Sequence, residues 1–267
     1  MGVIRDPRIM QIMLLGTYAL TGKMLLQFQF TVIQMVVTLT VCILLEWFFV
    51  YLKNGTVMWP HSAVITSLGI VLVLRADTVI PFIMASLVAI GFKHLLRYRE
   101  SHIFNPSNIG ISMIAVLFPL TTSTDPVQWG FYLWILAVMS LGGLYLVHKV
   151  HRLPLVLSFF FSFVGIQWIR HIIWTDALNA SFSSFMWAGL FVFTFNMITD
   201  PKTSPKDVKK QIYFGSSIAL TSQVMIHLNI HSALFISLAI ICLGQFLWKW
   251  VRDLSMSKGK QAPVKTN

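Results

Sequence analysis

The chain has 267 residues, 56% of them hydrophobic and 11% charged, with a mean hydropathy of +0.75. A soluble domain of this length and composition would leave a forbidding apolar surface in water, so a soluble enzyme or binding module is excluded in favour of an integral membrane protein. The formal charge of +11 would point to nucleic acid in a soluble chain; here the placement of the charges carries the meaning, and no nucleic-acid partner is expected.

Ten apolar segments follow one another, each long enough to cross or nearly cross a hydrocarbon core of roughly 30 Å: 9–26, 31–52, 57–74, 79–96, 103–120, 129–147, 153–173, 182–198, 212–226 and 233–250. The expected fold is therefore an all-α polytopic membrane protein of about ten transmembrane helices, some broken or re-entrant. Residues 1–252 form a single membrane domain, and 253–267 a polar, basic, disordered cytoplasmic tail. Arg5 and Arg8 precede the first segment as in a signal peptide. No small-x-small cleavage site follows, and Asp6 interrupts the basic stretch, so the segment is read as a mature helix.

The second segment carries Glu46, and a carboxylate at membrane depth is costly enough to be a functional candidate. It lies less than two turns from the segment end, so it is expected to reach the interface beside Lys53. Cys42 and Cys242 stand in separate apolar segments with no CxxC pattern; they read as packing residues, with no metal site implied. The basic stretch 93–99, which begins at the end of the fourth segment, precedes His102-Ile103-Phe104-Asn105-Pro106-Ser107-Asn108. The ring of Pro106 disfavours a helical Asn105, while proline itself suits the first position of a helix. The chain must turn sharply there. Non-helical backbone at membrane depth survives only when buried in protein or lining a cavity, which makes such a break a place for a ligand. A short loop with Asn as the cap of the next helix would use the same residues.

In the sixth segment Ser140, Gly142 and Gly143 are expected to let helices approach closely. His148 and His151 flank Lys149 in a basic turn and read as surface residues. His171, His227 and His231 fall near one face and could ligate haem or a metal, but they read first as interfacial histidines. After the eighth segment comes Asn196-Met197-Ile198-Thr199-Asp200-Pro201-Lys202-Thr203-Ser204-Pro205, a second proline-marked break, since Pro201 prevents the helix from continuing. With ten crossings, 17 of the 20 Lys and Arg residues fall on the side of the N-terminus and only Lys23, Arg75 and Arg170 on the other. That asymmetry makes the first side cytoplasmic, with both termini inside. Both breaks then lie on the cytoplasmic face. Together they would form a polar vestibule for an anionic or hydrogen-bonding ligand; the alternative is two ordinary capped turns.

The stretch LLRYRESHIFNPSNIGI resembles the KxLxRxxGKHIFNPxNFGL segment of the family that contains the Nqr complex B subunit and the Rnf complex D subunit. FNMITDPKTSP is similar to that family's F-x-x-[AS]-TDP-x-[ST]-x-P segment, DPVQWGF to its SPGQWG turn, and HSAVITSLGIVLVLR to one of its spans. The likeness is greatest to the small free-standing, UnbU-like branch. It implies a ten-helix, multi-pass subunit of the bacterial inner (cytoplasmic) membrane, working in electron transport with redox partner subunits and a flavin cofactor. In the best-known members a threonine in an S-G-A-T motif carries FMN covalently. This chain has 121-TTSTDPVQW-129 there, with no Gly-Ala pair, so Thr124 matches by position alone and covalent FMN is not expected. Pro60, His61 and Ser62 stand where pumping members carry an acidic residue ahead of the third span.

A noncovalent flavin, FMN or riboflavin, needs a flat apolar slot and a few amide or carboxylate partners at its edge. Asn105, Asn108, Thr199 and Asp200, with Phe104 as a wall, are the candidate cofactor-binding residues; no catalytic acid, base or nucleophile is expected. Two other functions fit the same features. One is a small-solute or ion transporter or channel of this fold, and the other a non-catalytic membrane anchor for a partner.

Overall fold

The computed structural model describes residues 6–25, 28–124, 133–174 and 188–259. Within them the fold is all-α, ten helices with two pairs of two-residue strands at their junctions. The helices are α1 (Pro7–Leu25), α2 (Val32–Asn54), α3 (His61–Val73), α4 (Ile80–Leu95), α5 (Pro106–Leu117), α6 (Leu133–Lys149), α7 (Leu153–Trp174), α8 (Ala188–Val192), α9 (Val208–His227) and α10 (Ala233–Gly259). Each overlaps one of the ten apolar segments. The ends follow local chemistry. Thr31 and Gln34 form a reciprocal capping box at the start of α2, and Gly55, at φ +68°, closes its end in the left-handed conformation that glycine adopts without penalty. Asp207 caps α9 by accepting from the Lys210 N–H at 3.1 Å.

Among the described residues, three helices are long and apolar enough to cross a membrane: Val32–Asn54, Leu153–Ile173 and Ala233–Met256. Only 17% to 28% of their apolar stretches is enclosed by protein. Exposed Phe48, Leu52, Phe161, Ile172 and Trp248 would be untenable in water and cost nothing in lipid, which points to a membrane protein.

The short helices are the enclosed ones. α3, α4 and α5 have 13, 16 and 12 residues, about 18–24 Å at roughly 1.5 Å per residue, shorter than the apolar segments 57–74, 79–96 and 103–120 that the sequence leads one to expect to cross or nearly cross the membrane. Their ends are given over to other backbone. β1 (Arg75–Ala76), after α3, pairs antiparallel with β4 (Thr122–Ser123), after α5. β2 (Arg97–Tyr98) folds back on β3 (Ser101–His102), so the expected fifth segment begins in extended chain and turns helical only at Pro106.

α3 is the axis of the core, with every residue from 66 to 74 buried. A helix buried all round tolerates hydroxyls only if they are satisfied, and Thr66 and Ser67 bond back to the Ser62 and Val64 carbonyls. α5 lies directly on α4, because a Cβ at Gly110 would come within 2.5 Å of the Ala85 carbonyl oxygen. Gly142 faces Leu14 and Gly143 faces the Phe195 ring at similarly close range, the close approach expected of that pair. α7 and α9 are clamped by Gln223, whose Nε2 donates to the Phe163 carbonyl at 3.1 Å and to Gln167 Oε1 at 2.7 Å.

Candidate functional site

The two proline-marked breaks meet. α5 starts where it does because Asn105, in extended backbone, accepts the Asn108 N–H on Oδ1 at 3.0 Å while Pro106 takes the first helical position. Ser107 Oγ donates to the same oxygen at 2.9 Å, which leaves the amide nitrogen of Asn105 facing outward, 3.4 Å from Asp200 Oδ2. That carboxylate oxygen also lies 3.0 Å from His102 Nε2. Asp200 arrives through a different device. α8 widens into a π turn over Phe193–Met197, marked by the Ile198 N–H reaching the Phe193 carbonyl, and then stops at Pro201. Asp200 Oδ1 accepts the Lys202 N–H at 3.0 Å, and its carbonyl oxygen accepts from the Ser204 hydroxyl and N–H. Burial alone would push the Asp200 carboxyl up. The hydrogen bond and charge of His102, with the backbone N–H and ammonium of Lys202, outweigh it and hold the group below the ordinary aspartate range.

A second charged cluster lies in the same cavity. Glu46 of α2 is 8% exposed and is gripped by two residues of α4, Lys93 through its ammonium and His94 through Nε2 at 2.9 Å. The expectation that Glu46 reaches the interface beside Lys53 is overturned. α4 packs along α2, so a cation and an imidazole lie within hydrogen-bond distance, and a buried carboxylate is held by them rather than by water. The His94 ring in turn stacks on Phe49, with centroids 4.9 Å apart and planes 9° from parallel.

These groups line one cavity of about 480 Å³ at one end of the bundle, between the starts of α1, α3 and α5 and the ends of α2, α4, α6 and α8. Its wall carries five Lys or Arg side chains, Arg8, Lys53, Lys93, Arg97 and Lys202, against two carboxylates, Glu46 and Asp200. Lys93 is committed to Glu46, and Asp200 to His102. Arg8, Lys53, Arg97 and Lys202 remain to give the space a positive potential, and low-dielectric walls focus it. Gln11 reaches across to Asn196 Oδ1 at 3.2 Å. Leu15, Ile65, Val192 and Met197 supply the apolar part of the lining.

Of the five predicted binding residues, Asn105, Thr199 and Asp200 line this cavity, although the Thr199 hydroxyl is turned to the Phe195 carbonyl at 2.7 Å. Phe104 and Asn108 are not brought to it. Phe104 points to the far side of the break, into an apolar groove. Asn108 is 1% exposed, and its Nδ2 donates to the Phe235 carbonyl at 2.9 Å, tying α5 to α10. For Phe104 the reason is geometric, since adjacent residues in non-helical chain face different ways; Asn108 is held away from the cavity by its bond to the Phe235 carbonyl of α10. The stretch 93–99, His102 and Asn196 are legible in the sequence as parts of the two breaks, but the sequence assigns no binding role to Lys93, His94, His102, Asn196 or Gln11. Lys93 and His94 carried a legible signal, an ammonium and an imidazole side by side near the end of an apolar segment. The π turn that presents Asn196 carried none. Thr124, at the other end of α5, donates to Ser232 Oγ at 2.8 Å; the rest of its loop, from residue 125 on, lies outside the described residues.

The donor set suits a ligand that joins an anionic group to a flat, hydrogen-bonding ring. The volume falls within the roughly 300–1,000 Å³ of sites for molecules of cofactor size. Arg8, Lys53 and Lys202 stand at the wall for a phosphate, amides from Gln11 and Asn196 face the interior, and the Phe49–His94 stack offers a flat surface. A scan against models of known protein families finds no match, and no curated protein matches the chain.

Proposed function

We propose that this chain is a membrane subunit of an electron-transport system of the Nqr B and Rnf D type, holding FMN or riboflavin noncovalently in the cationic cavity. In this reading it crosses the bacterial cytoplasmic membrane about ten times, with both termini and the cavity on the cytoplasmic side. The observation that carries the reading is the junction of HIFNPSN and TDPKTSP, the two stretches with the most specific family resemblance, at the Asp200 carboxylate. Arg8, Lys53 and Lys202 would hold a phosphate, Asn196 and Gln11 the ring edge, and Phe49 with the neighbouring apolar side chains its face. Bound flavin supplies reversible one- and two-electron transfer. The protein's contribution is to orient it, keep the ring dry and set the field around it through Lys93, Glu46 and Asp200. No general acid or base is required of these residues.

Detergent-purified protein should carry an oxidised-flavin absorption band, bleached by dithionite and released by acid at about one flavin per chain. The variant K202A/R8A should lose most of it while remaining monodisperse. Absence of both bound and acid-released flavin from the wild type would refute this reading.

One observation favours a second reading. A net-positive polar cavity surrounds the ends of helices too short to cross a bilayer, which also suits passage of a small anionic solute. Uptake of such a solute by proteoliposomes without a redox partner would select it.

A further inference from the structure

Opposite the cavity, on the other face of the HIFNPSN segment, α4, α5 and α10 enclose a groove of about 530 Å³. Its wall is aliphatic and aromatic: Leu95, Phe104, Met113, Ile240, Leu243 and Phe246. It holds two polar side chains. The Ser112 hydroxyl is spent on the Asn108 carbonyl at 2.8 Å, and Arg97 stands at one end, donating to the Glu100 carbonyl at 2.8 Å. The rim is open, with Leu95 70% and Ile240 45% exposed. α10, which forms one wall, is among the three helices long and apolar enough to cross a membrane. Lys249 follows Phe246 by one turn of α10 and shares a small recess with it beside His102 and Ile103. The groove thus has an apolar trough with Arg97 at the end near the β2–β3 hairpin, and Lys249 lies in the adjoining recess that shares Ile103 and Phe246 with it; both cations are exposed, with no carboxylate partner among the described residues.

We propose that this groove seats an acyl chain of an anionic membrane phospholipid, with the headgroup phosphate against Arg97 and Lys249. A trough at membrane depth fills with hydrocarbon at no cost, and a pair of basic side chains near its hairpin end selects the charge of the headgroup. Phe104 forms the wall while the adjacent Asn105 caps α5 and bridges to Asp200. The lipid therefore braces, from outside, the turn that builds the polar cavity. The inference rests on the membrane reading alone and stands or falls independently of flavin.

The test is native mass spectrometry of the full chain, purified in mild non-ionic detergent and equilibrated with equal amounts of phosphatidylglycerol and phosphatidylcholine. The wild type should retain phosphatidylglycerol preferentially. R97Q and K249Q should each lower that preference about fivefold, the equivalent of about 1 kcal/mol for a basic residue near an anionic lipid surface. A239W, which fills the trough from α10, should lose both lipids while eluting as the wild type does. Equal retention of the two lipids, no retained phospholipid, unchanged retention by A239W, or a second copy of the chain released from the groove by A239W would each overturn the proposal.

Discussion

Glu46 and Lys93 are buried together, and the balance of such a pair is set by what remains when one member is removed. Truncating one partner strands a charge away from water at about 3–5 kcal/mol, while replacing both with apolar groups of similar volume is close to neutral. E46Q should therefore lower the thermal midpoint strongly, and E46Q/K93M should recover most of the loss, read as melting curves in one detergent. A single variant as stable as the wild type would mean that the pair does not hold α2 to α4. Asp200 differs because its carboxyl is held below the ordinary range. A depressed folded-state value contributes stability above the unfolded value, near about 3.9, and that stability is lost as pH falls through the folded value. The wild-type midpoint should be flat from neutral pH to about pH 5 and fall steeply below about pH 4. D200N should start lower and fall less, and the two curves should converge in acid; parallel curves would show that the Asp200 charge is not linked to folding.

Two neighbouring helices show how a single atom sets the spacing of elements. Gly110 presses α5 onto the backbone of α4, where the obstacle to a side chain is the Ala85 carbonyl oxygen and not a flexible tip. Gly91, also in α4, has nothing within 4 Å of the place a Cβ would occupy. G110A should cost about 1–3 kcal/mol through overpacking, while G91A should be neutral or raise stability by up to about 1 kcal/mol, as glycine removal from a helix does. Thermal unfolding of the two variants side by side is the check. The same contact fixes the start of α5, and with it Asn105, so on the proposed flavin reading any flavin retained by the wild type should fall in G110A along with stability. Asn105 was legible as a cap from Asn-Pro alone, because cap chemistry is local. Its bridge to Asp200 was not, since it depends on a π turn nearly a hundred residues away.

Over the whole molecule, the cavity gathers basic residues that lie far apart in the sequence, from Arg8 to Lys202, as expected if alternate loops share one membrane face. On that reading, I230C at the α9–α10 turn should react with a membrane-impermeant maleimide in intact cells. N54C should react only after permeabilisation. Cys42 and Cys242 are buried and should give little background. The opposite pattern, or equal labelling of both, would discard the proposed orientation. Composition and the run of apolar segments determined by themselves that this chain is helical and membrane-bound, because hydropathy and capping act within a few turns of chain. They could also mark residues 105 and 200 as breaks, since proline acts on its own neighbours. Only the tertiary structure decided that the two breaks share one carboxylate, that Glu46 faces Lys93 and His94, and that α3 and α5 are enclosed short helices. Burial of a charge and the length of a helix are both settled by what packs against them, and that contact is made by residues remote in the sequence.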